Sequence, residues 1–271
     1  MIGGRLKVPS ATLLLLLLVG AGENQSDPLT VRVLTYNIHH GEGTDRQIDL
    51  ARLADVMRSV QPDLIALQEV DQGTERADGV HQLDELARRL GMHAVFGKAM
   101  DYAGGGYGVA VLSRWPLLSL DNQPLPTSPE GEPRTALTVY VKAGEDGPLL
   151  QFTSTHLAQS REPADRMIQA TYLNELLSAA KGSPSILAGD FNARLDTDVM
   201  ALFDAHWTNA APAGQSPPAP TAQPGRRGPR GDYVLFRPAQ RWRVIESQVV
   251  DAPVASDHRP VLVVLEWIGT S

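Results

Sequence analysis

Short strand-like segments recur along the chain from residue 31 onward, and helix-like segments separate only some of them. Apolar residues spaced at i, i+3, i+4 and i+7 predict helices over 53–60 and 83–90, and a further helix is predicted over about 163–180. The predicted strands are 31–37, 63–69, 107–113, 137–141, 149–155, 185–190, 233–236, 243–250 and 260–267. Strands therefore outnumber helices, and the pattern indicates an α/β fold.

The composition excludes several kinds of site. The chain of 271 residues contains no cysteine, so disulfides, thiolate zinc sites, iron–sulfur clusters and cysteine nucleophiles are impossible. Any metal must be held by oxygen or imidazole. The 24 basic and 31 acidic side chains give a net charge of −7, which argues against broad charge-driven binding to nucleic acid or anionic membranes.

The N-terminus is typical of a secretory signal, predicted over 1–21. Arg5 and Lys7 precede a short apolar run, and Val19-Gly-Ala21 resembles a cleavage site. An uncleaved membrane anchor is the alternative, but the run is short for a span, which needs about 20 apolar residues. Removing Arg5 and Lys7 changes the charge from −7 to −9. The mature protein is expected to be acidic and exported, either periplasmic or secreted.

The rest of the chain is expected to form a flexible linker over 22–29 and a single domain over 30–271. The segment 210–231 is rich in proline and arginine and is predicted to be a long loop. A linker to a second domain is the alternative, but only roughly 40 residues follow, too few for a separate stable core.

Polar side chains recur where the predicted strands end, and crevices in α/β proteins lie at strand ends. Each residue alone is more typical of a turn or a helix cap. Together they would place several charges at one rim, which is costly unless a cation or pairing of acidic with basic groups compensates. These residues are Asn37, Glu69, His156, Asp190, Asn192, Asp232, Asp257 and His258.

The ordered motifs around these residues resemble those of the endonuclease/exonuclease/phosphatase superfamily. That superfamily includes pancreatic-type deoxyribonucleases, abasic-site endonucleases, neutral sphingomyelinases and inositol-polyphosphate 5-phosphatases. The resemblance implies a four-layer α/β sandwich of two packed, mainly antiparallel sheets flanked by helices. The motifs are Thr35-Tyr-Asn-Ile38, Leu67-Gln-Glu-Val70, Thr155-His-Leu157, Gly189-Asp-Phe-Asn192, Gly231-Asp-Tyr233 and Ser256-Asp-His-Arg-Pro260.

The candidate metal site centres on Glu69. Its carboxylate is a hard ligand suited to Mg²⁺ or Mn²⁺. The resemblance implies that Asn37 and Asp257 complete or support this site.

The resemblance also implies the catalytic roles. Asp190 would orient and deprotonate the attacking water, and Asn192 would donate a hydrogen bond to a phosphoryl oxygen. His258 would donate to the phosphoryl group, held in its tautomer and charged state by Asp232. His156 would supply a second imidazole donor.

The sequence around His156 indicates which branches of the superfamily the chain resembles most. Histidine here resembles the deoxyribonuclease, sphingomyelinase and inositol-phosphatase branches rather than the abasic-site endonucleases. Deoxyribonuclease-like members carry a glutamate partner in the strand that corresponds to 107–113, and this chain has no acidic residue there. A true deoxyribonuclease is therefore disfavoured.

Substrate contacts are less well defined. Arginine side chains ahead of Asp232 would bind phosphate at the rim of the site or lie on a solvated loop. A fourth arginine would bind substrate or pair with an acid. His39 and His40 would touch substrate or a second metal, or serve as ordinary loop residues. The four arginines are Arg226, Arg227, Arg230 and Arg134.

We therefore expect an exported, divalent-metal-dependent phosphoesterase that acts on a small or lipid-linked phosphodiester or phosphomonoester, with transient contact to lipid head groups as one option. A monomer is the default for the family. A secreted nuclease is the first alternative, disfavoured by the scarcity of lysine and the 6% aromatic content. The second alternative is a non-catalytic binding module, which would be expected to have lost a metal carboxylate or the paired histidine.

Overall fold

A computed structural model gives the fold of Met1 and of residues 28–145, 147–160, 163–178, 183–210, 221–223 and 231–269. The predicted signal apart from Met1, most of the predicted linker, and Arg226, Arg227 and Arg230 lie outside these residues. None of the helices in the described part of the chain is long and apolar enough to cross a membrane.

The described segments contain twelve strands and four α-helices. The strands are β1 (Thr30–Asn37), β2 (Leu64–Gln72), β3 (His93–Tyr102), β4 (Gly105–Ser113), β5 (Leu117–Leu125), β6 (Arg134–Lys142), β7 (Leu149–His156), β8 (Ser185–Asp190), β9 (Thr208–Asn209), β10 (Asp232–Arg237), β11 (Trp242–Val249) and β12 (Val261–Trp267). The helices are α1 (Leu50–Ser59), α2 (Gln82–Leu90), α3 (Ala164–Ser178) and α4 (Asp198–Asp204).

The strands form two six-stranded sheets. The first has the order β11-β12-β1-β2-β4-β3 and the second has the order β5-β6-β7-β8-β10-β9. Among the described residues, each sheet has one parallel pair, β1 with β2 and β7 with β8, and the other pairs are antiparallel. Each parallel pair lies at the centre of its sheet.

The two sheets pack face to face, and helices cover their outer faces. The inner layer is built from side chains of both sheets, such as Val33, Val111, Val139 and Phe152, all 0% exposed. Helices α1 and α2 cover the outer face of the first sheet, and α3 and α4 cover that of the second. This is the predicted four-layer α/β sandwich, so the prediction of the fold is confirmed.

The elements missed by the sequence patterns are those with the weakest apolar periodicity. Strands β3, β5 and β9 lie at sheet edges, where one side of the strand is exposed to solvent. Leu118 and Leu120 of β5 are each 59% exposed. Helix α4 has seven residues, which is too short to show a helical period. The three predicted helices are present as α1, α2 and α3.

The predicted long loop over 210–231 is described only in part. Residues 211–220 and 224–230 lie outside the described segments. Between them, Ala222 forms an isolated antiparallel bridge with His258. Thr221 is 0% and Gln223 4% exposed. The backbone next to His258 is therefore packed against this short buried piece.

The approach of β7 to β8 requires glycine at position 189. A Cβ atom built there would lie 2.1 Å from the backbone oxygen of Thr155, its register partner in β7. Backbone atoms cannot move aside as a flexible side chain can. Gly189 thus allows β7 and β8 to approach each other closely at the position immediately before Asp190.

We expect Gly189→Ala to destabilise the protein by about 1–3 kcal/mol, because the added methyl group forces β7 and β8 apart. Urea unfolding followed by circular dichroism measures the change. Gly106→Ala is the matched control, since a Cβ at that position in β4 meets only side-chain atoms of Phe96 and Lys98, at 3.3 Å or more. Equal losses in the two variants would contradict the strand-closure argument.

Candidate active site

The candidate site lies where the central parallel pairs of the two sheets end. Asn37 pairs with Gln68 at the end of β1, and His156 pairs with Asp190 at the ends of β7 and β8. The antiparallel neighbour β10 starts at the same edge, with Asp232 opposite Asp190. In the sequence, each of these strands contains apolar residues and has a polar residue at the end that reaches the site.

The loop before β12 brings two more predicted residues to this edge. The Ser256 hydroxyl donates to the backbone oxygen of Asn37 at 2.8 Å and ties the loop to the end of β1. Asp257 and His258 follow directly in the chain. Thus all eight strand-end residues singled out by the sequence meet at one edge of the sandwich.

Asn37 connects the carboxylates of the two sheets. Its side-chain Nδ2 donates to Glu69 Oε1 at 2.8 Å and to Asp190 Oδ2 at 3.3 Å. Its Oδ1 accepts from the backbone N–H of His39 at 3.0 Å. In this arrangement Asn37 positions two carboxylates, while its own oxygen is already engaged by the chain.

Glu69 projects from an irregularity in β2. The register of β2 against β4 shifts between Leu67 and Val70, and Glu69 itself has a φ of 58°. A non-glycine residue in this left-handed region costs on the order of 1 kcal/mol and is typical of functional sites. The bulge releases Glu69 from the ladder and presents its side chain at the rim.

Asp190 is the central carboxylate of the site. It is 1% exposed, and its Oδ2 lies 3.6 Å from His156 Nε2 and 3.8 Å from His258 Nε2. Its Oδ1 accepts from the backbone N–H of Asn192 at 2.9 Å. Burial, and secondly the charge of Asp232, raise the pKa of Asp190 to about 6.

His258 and Asp232 form a close pair. His258 Nδ1 lies 2.9 Å from Asp232 Oδ2. Burial alone lowers the pKa of His258, but Asp232, and then Asp190 and Asp257, outweigh it and raise the pKa to about 10. The ring is therefore a cation at neutral pH.

His156 has a cationic partner. Arg134 is 4% exposed, and its Nη1 lies 3.0 Å from His156 Nδ1 and 3.2 Å from Glu132 Oε1. Guanidinium groups only donate, so Nδ1 accepts and the ring proton lies on Nε2. Burial, then Arg134 and His258, hold the pKa of His156 well below its usual value. His156 is therefore a neutral donor.

Asn192 adds an amide group beside the two histidines. Its Nδ2 donates to the backbone oxygen of Leu157 at 3.0 Å and lies 3.0 Å from His156 Nε2. The Asn192 side chain thus holds the loop after β8 against His156, whose Nε2 lies 3.6 Å from Asp190 Oδ2.

His39 and His40 follow Asn37 in a 3-10 turn, with φ values of 46° and 44°. One ring nitrogen of each and a carboxylate oxygen of Glu69 lie within 4.8 Å of one another. Burial, and then Arg76 and His39, lower the pKa of His40. The structure thus places both histidines next to a predicted metal ligand.

The donor set is suited to a divalent cation. Glu69 and Asp190 share the Asn37 amide, and Asp257 Oδ1 lies 4.0 Å from His39 Nδ1. Carboxylate oxygens crowded at one rim are stabilised by a hard cation. Glu69 and Asp257 thus offer carboxylate oxygens that could hold a divalent cation at this rim, with Asn37 positioning Glu69.

Comparison with known proteins identifies the family. The sequence model of the Endonuclease/Exonuclease/phosphatase family matches residues 34–258. The chain belongs to this family. An uncharacterized Escherichia coli K12 protein, YbhP, is 30% identical over 181 residues, covering 62% of this chain and 69% of YbhP.

Solved structures of the endonuclease/exonuclease/phosphatase fold agree with this assignment. One from Beutenbergia cavernae has a TM-score of 0.73 and 24% identity, covering 89% of this chain and 72% of that one. A mannosyl-6-phosphatase of Bacteroides thetaiotaomicron has a TM-score of 0.69 and 17% identity, covering 88% of this chain and 100% of that one. At identities this low, the structural similarity establishes the shared fold and nothing further.

Two features of the site are absent from the sequence-based expectations. One is the contact of Arg134 with His156, which depends on how β6 is aligned with β7. The other is Tyr107 of β4, whose pKa is raised by burial and then by the charge of Glu69, so that its phenol keeps its proton beside the site. The sequence analysis named Arg134 only as a substrate contact or as the partner of an acid, and nothing in the local pattern around Tyr107 marks that residue as functional.

Asp190→Asn should gain stability relative to wild type as the pH rises. The pKa of Asp190 is raised from 3.8 to about 6. Protonation of Asp190 therefore stabilises the folded protein fully below pH 3.8, and this stabilisation is lost as the pH rises through about 6. Between about pH 4.5 and pH 7.5 the difference in unfolding free energy should move by on the order of 2 kcal/mol in favour of the variant. Urea unfolding of chelator-treated protein measures it.

The control for this series is Asp204→Asn, at an exposed position in α4. Its difference from wild type should be the same at both pH values. A pH-independent difference for Asp190→Asn would show that Asp190 ionises in the folded protein as it does in the unfolded chain.

The contact with Arg134 predicts the tautomer of His156. Nitrogen-15 NMR at neutral pH should show a neutral ring with its proton on Nε2. Arg134→Met removes the adjacent cation, so the pKa of His156 should rise, whereas Arg114→Met, at an exposed arginine after β4, should leave it unchanged. A proton on Nδ1 in the wild-type protein would contradict the assignment.

Proposed function

We propose that the protein is a divalent-metal-dependent phosphoesterase that hydrolyses its substrate by water attack. The observation that carries the proposal is the position of Asp190 Oδ2, which lies within 3.8 Å of a ring nitrogen of both His156 and His258. A buried base flanked by two imidazole donors can activate a water and stabilise the charge that develops on phosphoryl oxygens.

Asp190 is proposed to orient and deprotonate the water. With a pKa raised to about 6, the carboxylate is mostly ionised at neutral pH yet basic enough to accept a proton, which is the range that favours general base catalysis. The backbone N–H of Asn192 and the Asn37 amide hold its two oxygens in place.

The phosphoryl group is proposed to lie against the donors around Asp190. His258 supplies a positive charge maintained by Asp232, while His156 and Asn192 supply neutral N–H donors. Hydrogen bonds that strengthen as negative charge develops on the phosphoryl oxygens lower the barrier for the displacement. The proton held by His258 is also available to the leaving oxygen.

A divalent cation would be held by Glu69 and Asp257, with Asn37 positioning Glu69. When bound, Mg²⁺ or Mn²⁺ supplies charge neutralisation at the phosphoryl and leaving oxygens. The oxygen-rich rim described above supports this assignment.

We propose a small or lipid-linked phosphoester as the substrate, handled outside the cytoplasm by a monomeric protein. The signal-like pattern over 1–21 and the acidic composition support export and disfavour a long nucleic acid. The fold similarity to a sugar-phosphate phosphatase is in keeping with a small substrate. The arginines at 226, 227 and 230 are proposed to contribute phosphate contacts.

Hydrolysis of bis-p-nitrophenyl phosphate with Mg²⁺ or Mn²⁺ tests the proposal. We expect turnover that disappears with chelator, and Asp190→Asn, His258→Ala and Glu69→Gln should each lower kcat by about 10²–10⁴-fold. Asp55→Asn, at an exposed position in α1, is the control and should keep wild-type activity. Wild-type rates in Asp190→Asn or His258→Ala would refute the mechanism.

Sphingomyelin, inositol phosphates, sugar phosphates and plasmid DNA assayed under the same conditions test the substrate class. Faster turnover of a small or lipid-linked substrate supports the proposal. Preferential cleavage of plasmid DNA would replace it with a nuclease.

A further inference from the structure

We propose that His39, His40 and Glu69 form a binding site for a divalent transition metal of the Zn²⁺ class. The proposal extends the proposed function and rests on it in one respect, since Glu69 also serves the hydrolytic metal. The two imidazoles are outside the strand-end motifs and have no part in the mechanism above.

The donor set matches Zn²⁺ chemistry better than Mg²⁺ chemistry. Mg²⁺ prefers oxygen ligands, whereas imidazole nitrogen is suited to Zn²⁺ and its neighbours in the first transition series. Two histidines and one glutamate, with further positions left to water or substrate, is a recognised ligand set for accessible zinc sites. This chain has no cysteine to offer instead.

The three donors converge in space. One ring nitrogen from each histidine and a Glu69 oxygen lie within 4.8 Å of one another. The two rings are tilted with their centroids 4.4 Å apart. Rotation about χ2 of a histidine has a broad, shallow energy profile, so the rings can turn at low cost to bring their nitrogens closer to Glu69.

The backbone that presents the histidines is held from two sides. The Asn37 side chain accepts from the N–H of His39 at 3.0 Å. Gln82, which is 0% exposed, donates to the backbone oxygen of His40 at 2.6 Å. Both residues therefore remain in the left-handed region, and their side chains are directed to the same rim as Glu69.

The surroundings of the cluster favour a cation. Glu42 Oε2 lies 3.7 Å from His40 Nε2, and Asp257 Oδ1 lies 4.0 Å from His39 Nδ1. The nearby positive charge of Arg76 is partly offset by Asp71, which accepts two hydrogen bonds from Arg76 at 2.6 and 2.8 Å.

His39 also has the second contact that histidine ligands usually make. Its Nδ1 lies 3.2 Å from the backbone oxygen of Glu42. Metal-bound histidines commonly donate one ring N–H to such a carbonyl, which fixes the ring while the other nitrogen binds metal.

Isothermal titration of chelator-treated protein with Zn²⁺ alone, and separately with Mg²⁺, tests the proposal. We expect Zn²⁺ to bind at least about tenfold more tightly than Mg²⁺. His39→Asn and His40→Asn should each weaken Zn²⁺ binding by about tenfold or more and change Mg²⁺ binding much less. Asparagine is chosen because it tolerates the left-handed backbone conformation at these positions.

His93→Asn, at an exposed position at the start of β3, is the control and should bind Zn²⁺ as the wild type does. Unchanged Zn²⁺ affinity in both His39→Asn and His40→Asn would overturn the proposal.

Nitrogen-15 NMR of the wild-type protein gives a second readout that does not depend on folded variants. Zn²⁺ should shift the ring nitrogens of His39 and His40 while leaving those of His93 in place. Absence of a shift at His39 and His40 would overturn the proposal independently of the titrations.

Hydrolysis of bis-p-nitrophenyl phosphate with Mg²⁺ separates this inference from the proposed function. Hydrolysis by the wild type together with Zn²⁺ binding that ignores both histidines would refute the inference alone. Histidine-dependent Zn²⁺ binding by a wild type that hydrolyses no phosphoester would refute the proposed function alone.

Discussion

A buried carboxylate with opposed histidines is the interaction around which the site is organised. Asp190 is 1% exposed, and its charge is tolerable there only because His258, Asn37 and the backbone of Asn192 stabilise it. The same neighbours hold the carboxylate in one orientation. Burial still makes Asp190 more basic than an ordinary aspartate. The surroundings of Asp190 therefore determine both its orientation and its basicity.

The two histidines beside Asp190 differ because their partners differ. Asp232 keeps His258 charged, and Arg134 with burial keeps His156 neutral. Both rings still present an N–H on Nε2 toward the same carboxylate oxygen. The site therefore carries one formal positive charge from its imidazoles, which limits the electrostatic cost of burying them together.

Much of the site was accessible from sequence because β-strand ends are local features. Asn37, Glu69 and Asp190 each follow an apolar run, and the order of the motifs identified their family. The pairing of Arg134 with His156 was not accessible, since it joins residues on neighbouring strands whose alignment no local pattern encodes. The approach of His39 to Glu69 likewise depends on a left-handed turn and a bulge, which apolar periodicity does not report. Three of the four edge strands, β3, β5 and β9, were missed by the sequence patterns.

The central position of β1 has a consequence for when the candidate site can first form. One neighbour of β1 is β2, but the other is β12, which is more than 200 residues further along the chain, and His258 lies just before it. During synthesis β1 therefore stays unpaired on one side until β12 emerges. A ribosome-bound fragment that stops short of the loop before β12 lacks Asp257 and His258, so it has no complete candidate site.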